Sequence, residues 1–160
     1  VRTQGRLQYS NASFHAKPGD LLEGAPVIVL VDAGTASAAE VLAGALRDHG
    51  RASVMGSRTY GKGSVQTVVP LDNGDSIKLT TARYYTPSGS SIQARGIRPD
   101  IVLRGEAARG LREQDLAGHL AGDGEAKAKA GELIEGDAAI SRALDALKAG
   151  TATARARRRF

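Results

Sequence analysis

Gly34-Thr35-Ala36-Ser37-Ala38-Ala39-Glu40 stands between the unbroken apolar run Pro26 to Val31 and an alanine-rich stretch from Ala38 to Arg47. The apolar run predicts a fully buried strand over Val27 to Val31. The stretch after it predicts a helix with Val41, Leu42, Ala45 and Leu46 on one face. Strand, tight turn and helix follow in that order. They set the Ser37 hydroxyl at the end of a strand and at a helix N-terminus, where the peptide dipoles favour developing negative charge.

Upstream, Val1 to Pro18 is polar, with a short strand expected at Arg6 to Tyr9. Downstream, Gly50 suits a helix stop, and Ala52 to Met55 reads as a short strand. After a glycine-punctuated loop, Ser64 to Leu71 and Ser76 to Tyr85 alternate in polarity around Asp72-Asn73-Gly74-Asp75, which predicts a β-hairpin. Thr86-Pro87-Ser88-Gly89 is a turn, and Ile97 to Leu103 returns to extended structure. Four segments are expected: a core over 1–104, a Gly/Ala/charged linker-like segment over 105–136, a C-terminal helix over 137–150 and a basic disordered tail over 151–160.

A length of 160 residues suits a single core, and with only four Tyr and two Phe that core must be aliphatic. The formal charge of +5 does not point to nucleic acid, because Arg155, Arg157, Arg158 and Arg159 lie in the tail and the rest is nearly neutral. Without cysteine there are no disulfides or thiolate metal sites, and nothing calls for a cofactor. No stretch is long and apolar enough to span a bilayer, and no signal peptide is evident. The chain begins at Val1 and its only methionine is Met55, so it is expected to be a piece of a longer protein.

A nucleophilic serine needs a base. Asp48 and His49 are adjacent, but one helix from Ala38 to His49 would set His49 about 18 Å from Ser37, at 1.5 Å per residue. Their expected role is structural. His15 and His119 lie in weakly patterned segments and are expected at the surface. A G-x-S-x-G elbow is absent, since Gly34 lies three residues before Ser37, and an S-x-x-K motif would need lysine where Glu40 stands.

Gly61-Lys62-Gly63-Ser64-Val65-Gln66 supplies the remaining candidate. Gly56 to Lys62 matches G-x-x-x-x-G-K, but Gly63 replaces the magnesium-binding hydroxyl residue and a β-rich run replaces the helix, so nucleotide binding is not expected. A lysine base must be largely neutral at working pH, which burial away from acids favours. The nearest charge is Arg58, and no acid lies between Asp48 and Asp72. Gln66 shares a strand face with positions 62 and 64. It can orient the amine or serve as a cross-strand polar residue; direct contact needs a bend, because an ideal strand separates the two by about 13 Å. The Ala38 N–H is the candidate oxyanion donor, and no glycine-rich loop upstream supplies a second.

At GTASAAE (34–40), GKGSVQ (61–66) and LTTARYYTPSGSSIQARGIRPDI (79–101) the chain resembles the C-terminal processing, or tail-specific, serine peptidases. The likeness covers roughly residues 5–103. It implies Ser37 as nucleophile, Lys62 as general base, Gln66 as the residue orienting the lysine and Ala38 as an oxyanion amide. It further implies an α/β fold with a ClpP/crotonase-like protease core, here without its N-terminal section; with the β-hairpin and the C-terminal helical extension read above, this is the expected architecture. Family members place a PDZ domain and part of the core, including the second oxyanion donor, ahead of this point. The implied substrates are proteins or peptides with exposed, unstructured apolar C-termini, and the implied location is the periplasm or cell envelope. A homodimer is expected through apolar edges left open, and the piece alone is expected to be weakly active or inactive. The alternative is a non-catalytic interaction or scaffold module.

Overall fold

The computed structural model describes residues 1–104, 110–123 and 130–157. A parallel sheet of β3 (Ile28–Val31), β4 (Ser53–Gly56) and β7 (Ile101–Val102) lies in the order β3-β4-β7, with helix α1 (Ala38–Asp48) connecting the first two strands. Successive residues of β4 point to opposite faces. Val54 packs with Val31, Ala43 of α1, Ile92 and Ile97, whereas Met55 packs with Leu103 and with Ala143 of helix α2 (Ala138–Arg157). The sheet is thus covered on both sides, which favours apolar residues on both faces of its strands.

Two expectations about this layer are corrected. β3 is an edge strand and is not fully buried: Val31 is 4% exposed, but Leu30 is 39% exposed. The inner face of α1 is also rotated, because Glu40, Ala43 and Gly44 are buried while Leu42 is 59% exposed. The cause is close approach. A Cβ on Gly44 would stand 2.7 Å from Thr86 Cγ2, so only a stripe of small residues lets α1 sit against the 86–97 segment. Gly50 takes φ 63° just beyond the helix and donates its N–H to the Arg47 carbonyl at 2.8 Å.

The second sheet is antiparallel, in the order β2 (Ala12–Ser13), β1 (Arg2–Gly5), β6 (Ser76–Tyr85), β5 (Ser64–Pro70). The first strand is therefore Arg2–Gly5, and the strand expected at Arg6 to Tyr9 gives way to a 3₁₀ turn at Gln8–Ser10. Buried Thr3 fixes that turn, donating its hydroxyl to the Ser10 carbonyl at 2.9 Å and accepting the Ala12 N–H at 3.1 Å. Of the extended stretch expected over 97–103, only Ile101–Val102 pairs as a strand. β1 pairs β6 only from Ala82 to Tyr85. Beyond it the β5–β6 pair stands off the sheet, with Val68, Val69, Ile77 and Leu79 each at least 40% exposed.

Segments 110–123 and 130–136 were expected to be linker-like, yet they lie against the core. Three glycines allow this: a Cβ on Gly110, Gly122 or Gly131 would fall 2.4 Å from Ala33 Cβ, 2.5 Å from the Gln93 carbonyl oxygen and 1.9 Å from the Arg58 carbonyl oxygen respectively. α2 runs past Gly150, where the sequence reading ended it, to Arg157. Residues 105–109 and 124–129 of the linker, and 158–160 of the basic tail, lie outside the described residues. No described helix is long and apolar enough to cross a membrane.

Gly56 closes β4 beside the last residue of β3, with φ 136°, and a Cβ there would stand 1.8 Å from the Val31 carbonyl oxygen. Gly56→Ala should lower stability by on the order of 3 kcal/mol through strain and overpacking. The check is the urea midpoint at unchanged m.

Candidate active site

Ser37 is the N-cap of α1, with φ 56° and ψ −120°. A side-chain-bearing residue keeps such a backbone only where its surroundings over-determine it. Here the constraint comes from both sides. Upstream, Asp32 Oδ1 accepts the N–H of Gly34 at 2.9 Å and of Thr35 at 3.2 Å, while Thr35 Oγ1 accepts the Asp32 N–H at 3.1 Å. Downstream, Glu40 Oε2 accepts the Ser37 N–H at 2.9 Å. Ser37 is half-buried and Ala38 is exposed at the first turn of the helix. Among the described residues nothing accepts the Ala38 N–H.

Glu40 also reaches the lysine loop. Its Oε2 accepts the Lys62 N–H at 2.9 Å, and its Oε1 accepts the Gly61 N–H at 2.8 Å and the Thr59 hydroxyl. Thr59 Oγ1 in turn accepts the Ile97 N–H at 2.7 Å. The backbone nitrogens of Ser37 and Lys62 therefore share one carboxylate oxygen. A second tie runs from the Tyr60 N–H to the Thr35 carbonyl at 3.0 Å. The structure thus brings together two runs that lie 25 residues apart in sequence.

The expectation that the lysine loop is remote from acids is corrected by Glu40, which is 0% exposed beneath it. Burial pushes the Glu40 carboxyl above the ordinary carboxylate range, against the hydrogen bonds from Thr59, Gly61, Lys62 and Ser37 that pull it down. Sequence reasoning assigned Glu40 no role. Its signal was the Ser37-x-x-Glu40 spacing of a capping box.

Three consecutive amides of the lysine loop are occupied from within: Gly61 and Lys62 by Glu40, and Gly63 by Gln93 Oε1 at 3.0 Å. A phosphate would need these same groups, so the near match to a nucleotide loop cannot offer these three amides. β5 follows in place of a helix.

Gln66 lies exposed on β5, opposite Thr80, at a register shift between Val65 and Gln66. Among the described residues its amide makes no hydrogen bond. It lines a cavity of about 410 Å³ with Ser64, Thr80, Glu113, Leu116 and His119. His119, expected at the surface, is exposed there, with Nδ1 3.0 Å from the Leu116 carbonyl. Asp48 lies at the far end of α1 and accepts the Ser88 N–H at 3.0 Å. Burial would raise its carboxyl, but hydrogen bonds from Thr86, Ser88 and Arg47 outweigh that and hold it below the ordinary range. Its work is to fasten the 86–90 turn to the helix.

A family profile described as "Peptidase family S41" matches residues 1–103. The chain is 50% identical over 129 residues to a carboxy-terminal-processing protease of Bartonella bacilliformis, covering 76% of this chain and 30% of that protein. It is 48% identical over 91 residues to a chloroplastic C-terminal processing peptidase of Tetradesmus obliquus, covering 56% of this chain and 20% of that one. Among solved structures, a photosystem II D1 C-terminal processing protease superposes with a TM-score of 0.53 at 45% identity, over 59% of this chain and 24% of that one. The chain therefore spans less than a third of the length of these relatives. With the profile covering well over half of its residues, the chain belongs to peptidase family S41.

Proposed function

We propose that this chain carries the nucleophile and base of a serine endopeptidase that acts on proteins with exposed, unstructured apolar C-termini. The observation that supports it best is the shared oxygen of Glu40, which fastens the serine turn to the lysine loop at 2.9 Å on each side. In the reading we favour, Ser37 Oγ attacks the scissile carbonyl carbon and its proton passes to Lys62 Nζ; the likeness to the family, not a hydrogen bond among the described residues, assigns Gln66 the role of orienting the amine. The Ala38 N–H faces the developing oxyanion. Lys62 returns the proton to the leaving amine as the C–N bond breaks. Water then attacks the acyl carbon and gives its proton to Lys62; as the C–Oγ bond breaks, Lys62 passes that proton to Oγ, and the carboxylic acid product departs.

The core, residues 1–104, is read as the later part of a ClpP/crotonase-like domain, followed by 105–136, the helix and the tail. The relatives' remaining length is where the second oxyanion donor and a docking module belong, so the 160 residues alone are expected to be weak or inactive. A periplasmic or envelope setting and a homodimer complete the proposal.

Its test is covalent capture with a fluorophosphonate, in a polypeptide carrying the family's upstream segments. A phosphonyl adduct on Ser37 that disappears in Lys62→Ala supports the assignment. An adduct elsewhere, or unchanged labelling in Lys62→Ala, refutes it.

A further inference from the structure

Glu40 is not the only buried side chain that holds the lysine loop. Gln93, which is 0% exposed, is another. Its Oε1 accepts the Gly63 N–H at 3.0 Å, and its Nε2 donates to the Leu120 carbonyl at 2.9 Å. The fit is close on both faces: a Cβ on Gly63 would stand 2.5 Å from the Gln93 backbone nitrogen, and one on Gly122 would stand 2.5 Å from its carbonyl oxygen. One partner is a donor and the other an acceptor. A neutral primary amide of this length satisfies both at once, whereas a carboxylate satisfies only Gly63 and an apolar side chain neither.

Leu120 belongs to the segment that walls the cavity beside Gln66. That segment is tied down at further points as well. Its Glu113 N–H donates to the Tyr60 carbonyl at 3.2 Å, and Asp123 accepts the Tyr85 hydroxyl at 2.9 Å and pairs with Arg83. The segment 113–123 is thus fastened to the residue two before Lys62 and, through Gln93, to the residue after it. It also lies beyond the residues that the family profile matches.

We propose that Gln93 is a positioning residue that clamps the cavity wall at Leu120 to the loop carrying Lys62, making segment 113–123 a working part of the site. Its functional meaning rests on the proposed role of Lys62, but its geometry can be tested without that role. Amide exchange in the 160-residue chain reads both ends of the clamp. Gln93→Met, which removes both bonds, should speed exchange at Gly63 by about tenfold or more, with the core amides of Val31 and Val54 unmoved. Gln93→Glu keeps the acceptor for Gly63 and loses the donor to Leu120. Gly63 should then stay within about threefold of the parent, while the amides of Leu116 and His119 in the wall speed up. Unchanged exchange at Gly63 in Gln93→Met overturns the proposal, as does equal acceleration of every amide in both variants. In the polypeptide used for covalent capture, Gln93→Met should lower kcat more than it raises KM. Absence of hydrolysis in its parent would count against the peptidase reading and leave the exchange result standing.

Discussion

Ser37→Ala and Lys62→Ala should each lower peptide hydrolysis by a factor on the order of 10⁴ to 10⁶, and the double variant should be no worse than either. Removing Oγ leaves no atom to form the acyl bond. Removing Nζ leaves Oγ–H with no group to take its proton, and a neutral hydroxyl attacks an amide poorly. Because both changes abolish the same step, their effects do not add. Lys62→Arg should fail as completely as Lys62→Ala, since a guanidinium keeps its proton throughout the working range. Steady-state hydrolysis of an unstructured peptide, by a polypeptide carrying the family's upstream segments, is the measurement. A single variant with more than a tenth of the parental rate would refute the dyad.

Glu40→Ala should be the most destabilising single change at the site, by about 3–5 kcal/mol, because it strands several buried donors at once. Glu40→Gln is the more revealing variant. Both carboxylate oxygens receive donors: Oε1 takes Thr59 and Gly61, and Oε2 takes Ser37 and Lys62. Whichever position the amide nitrogen takes, it meets at least one backbone N–H, so the least costly placement gives up Gly61 and loses about 1–3 kcal/mol. Displacing the loop by even an ångström should lower kcat by about 10²-fold.

Stability should also change its pH dependence. The folded-state value for Glu40 is raised above its ordinary 4.5, so its contribution is fully present below that value and fades as pH rises through the folded one. Glu40→Gln should flatten that part of the profile. Urea midpoints across pH 4 to 8 or so read both the offset and the slope. A Glu40→Gln protein matching its parent in midpoint and kcat would refute the bridging role.

Much of the framework was legible because it rests on local chemistry. The strand–turn–helix around Ser37 shows in periodicity alone, and the paired β5 and β6 are announced by the Asp72-Asn73-Gly74-Asp75 turn between two alternating runs. The candidate serine and lysine could be reached by distance and by excluding other motifs. What stayed illegible depends on which segments meet. Nothing near Glu40 in sequence shows that the 59–62 backbone will fold over it and fill its oxygens. The buried face of α1 was misplaced because its packing partner, the 86–97 segment, rewards small residues over Leu42. The Gly-rich composition of 105–136 suggests slack chain, whereas Gly110, Gly122 and Gly131 are the points where backbone meets core. Composition reports the missing side chain but not whether solvent or protein takes its place.

The single oxygen shared by Ser37 and Lys62 has a mechanical consequence. Glu40 projects from the first turn of α1, so the helix carries serine turn and lysine loop as one body. A displacement of α1 moves both together and leaves the distance between them unchanged. Control of such a site cannot come from stretching the pair apart without first breaking buried hydrogen bonds. Under the proposed reading, control comes instead from what is brought to the pair: a substrate, a further oxyanion donor, or the wall of the neighbouring cavity.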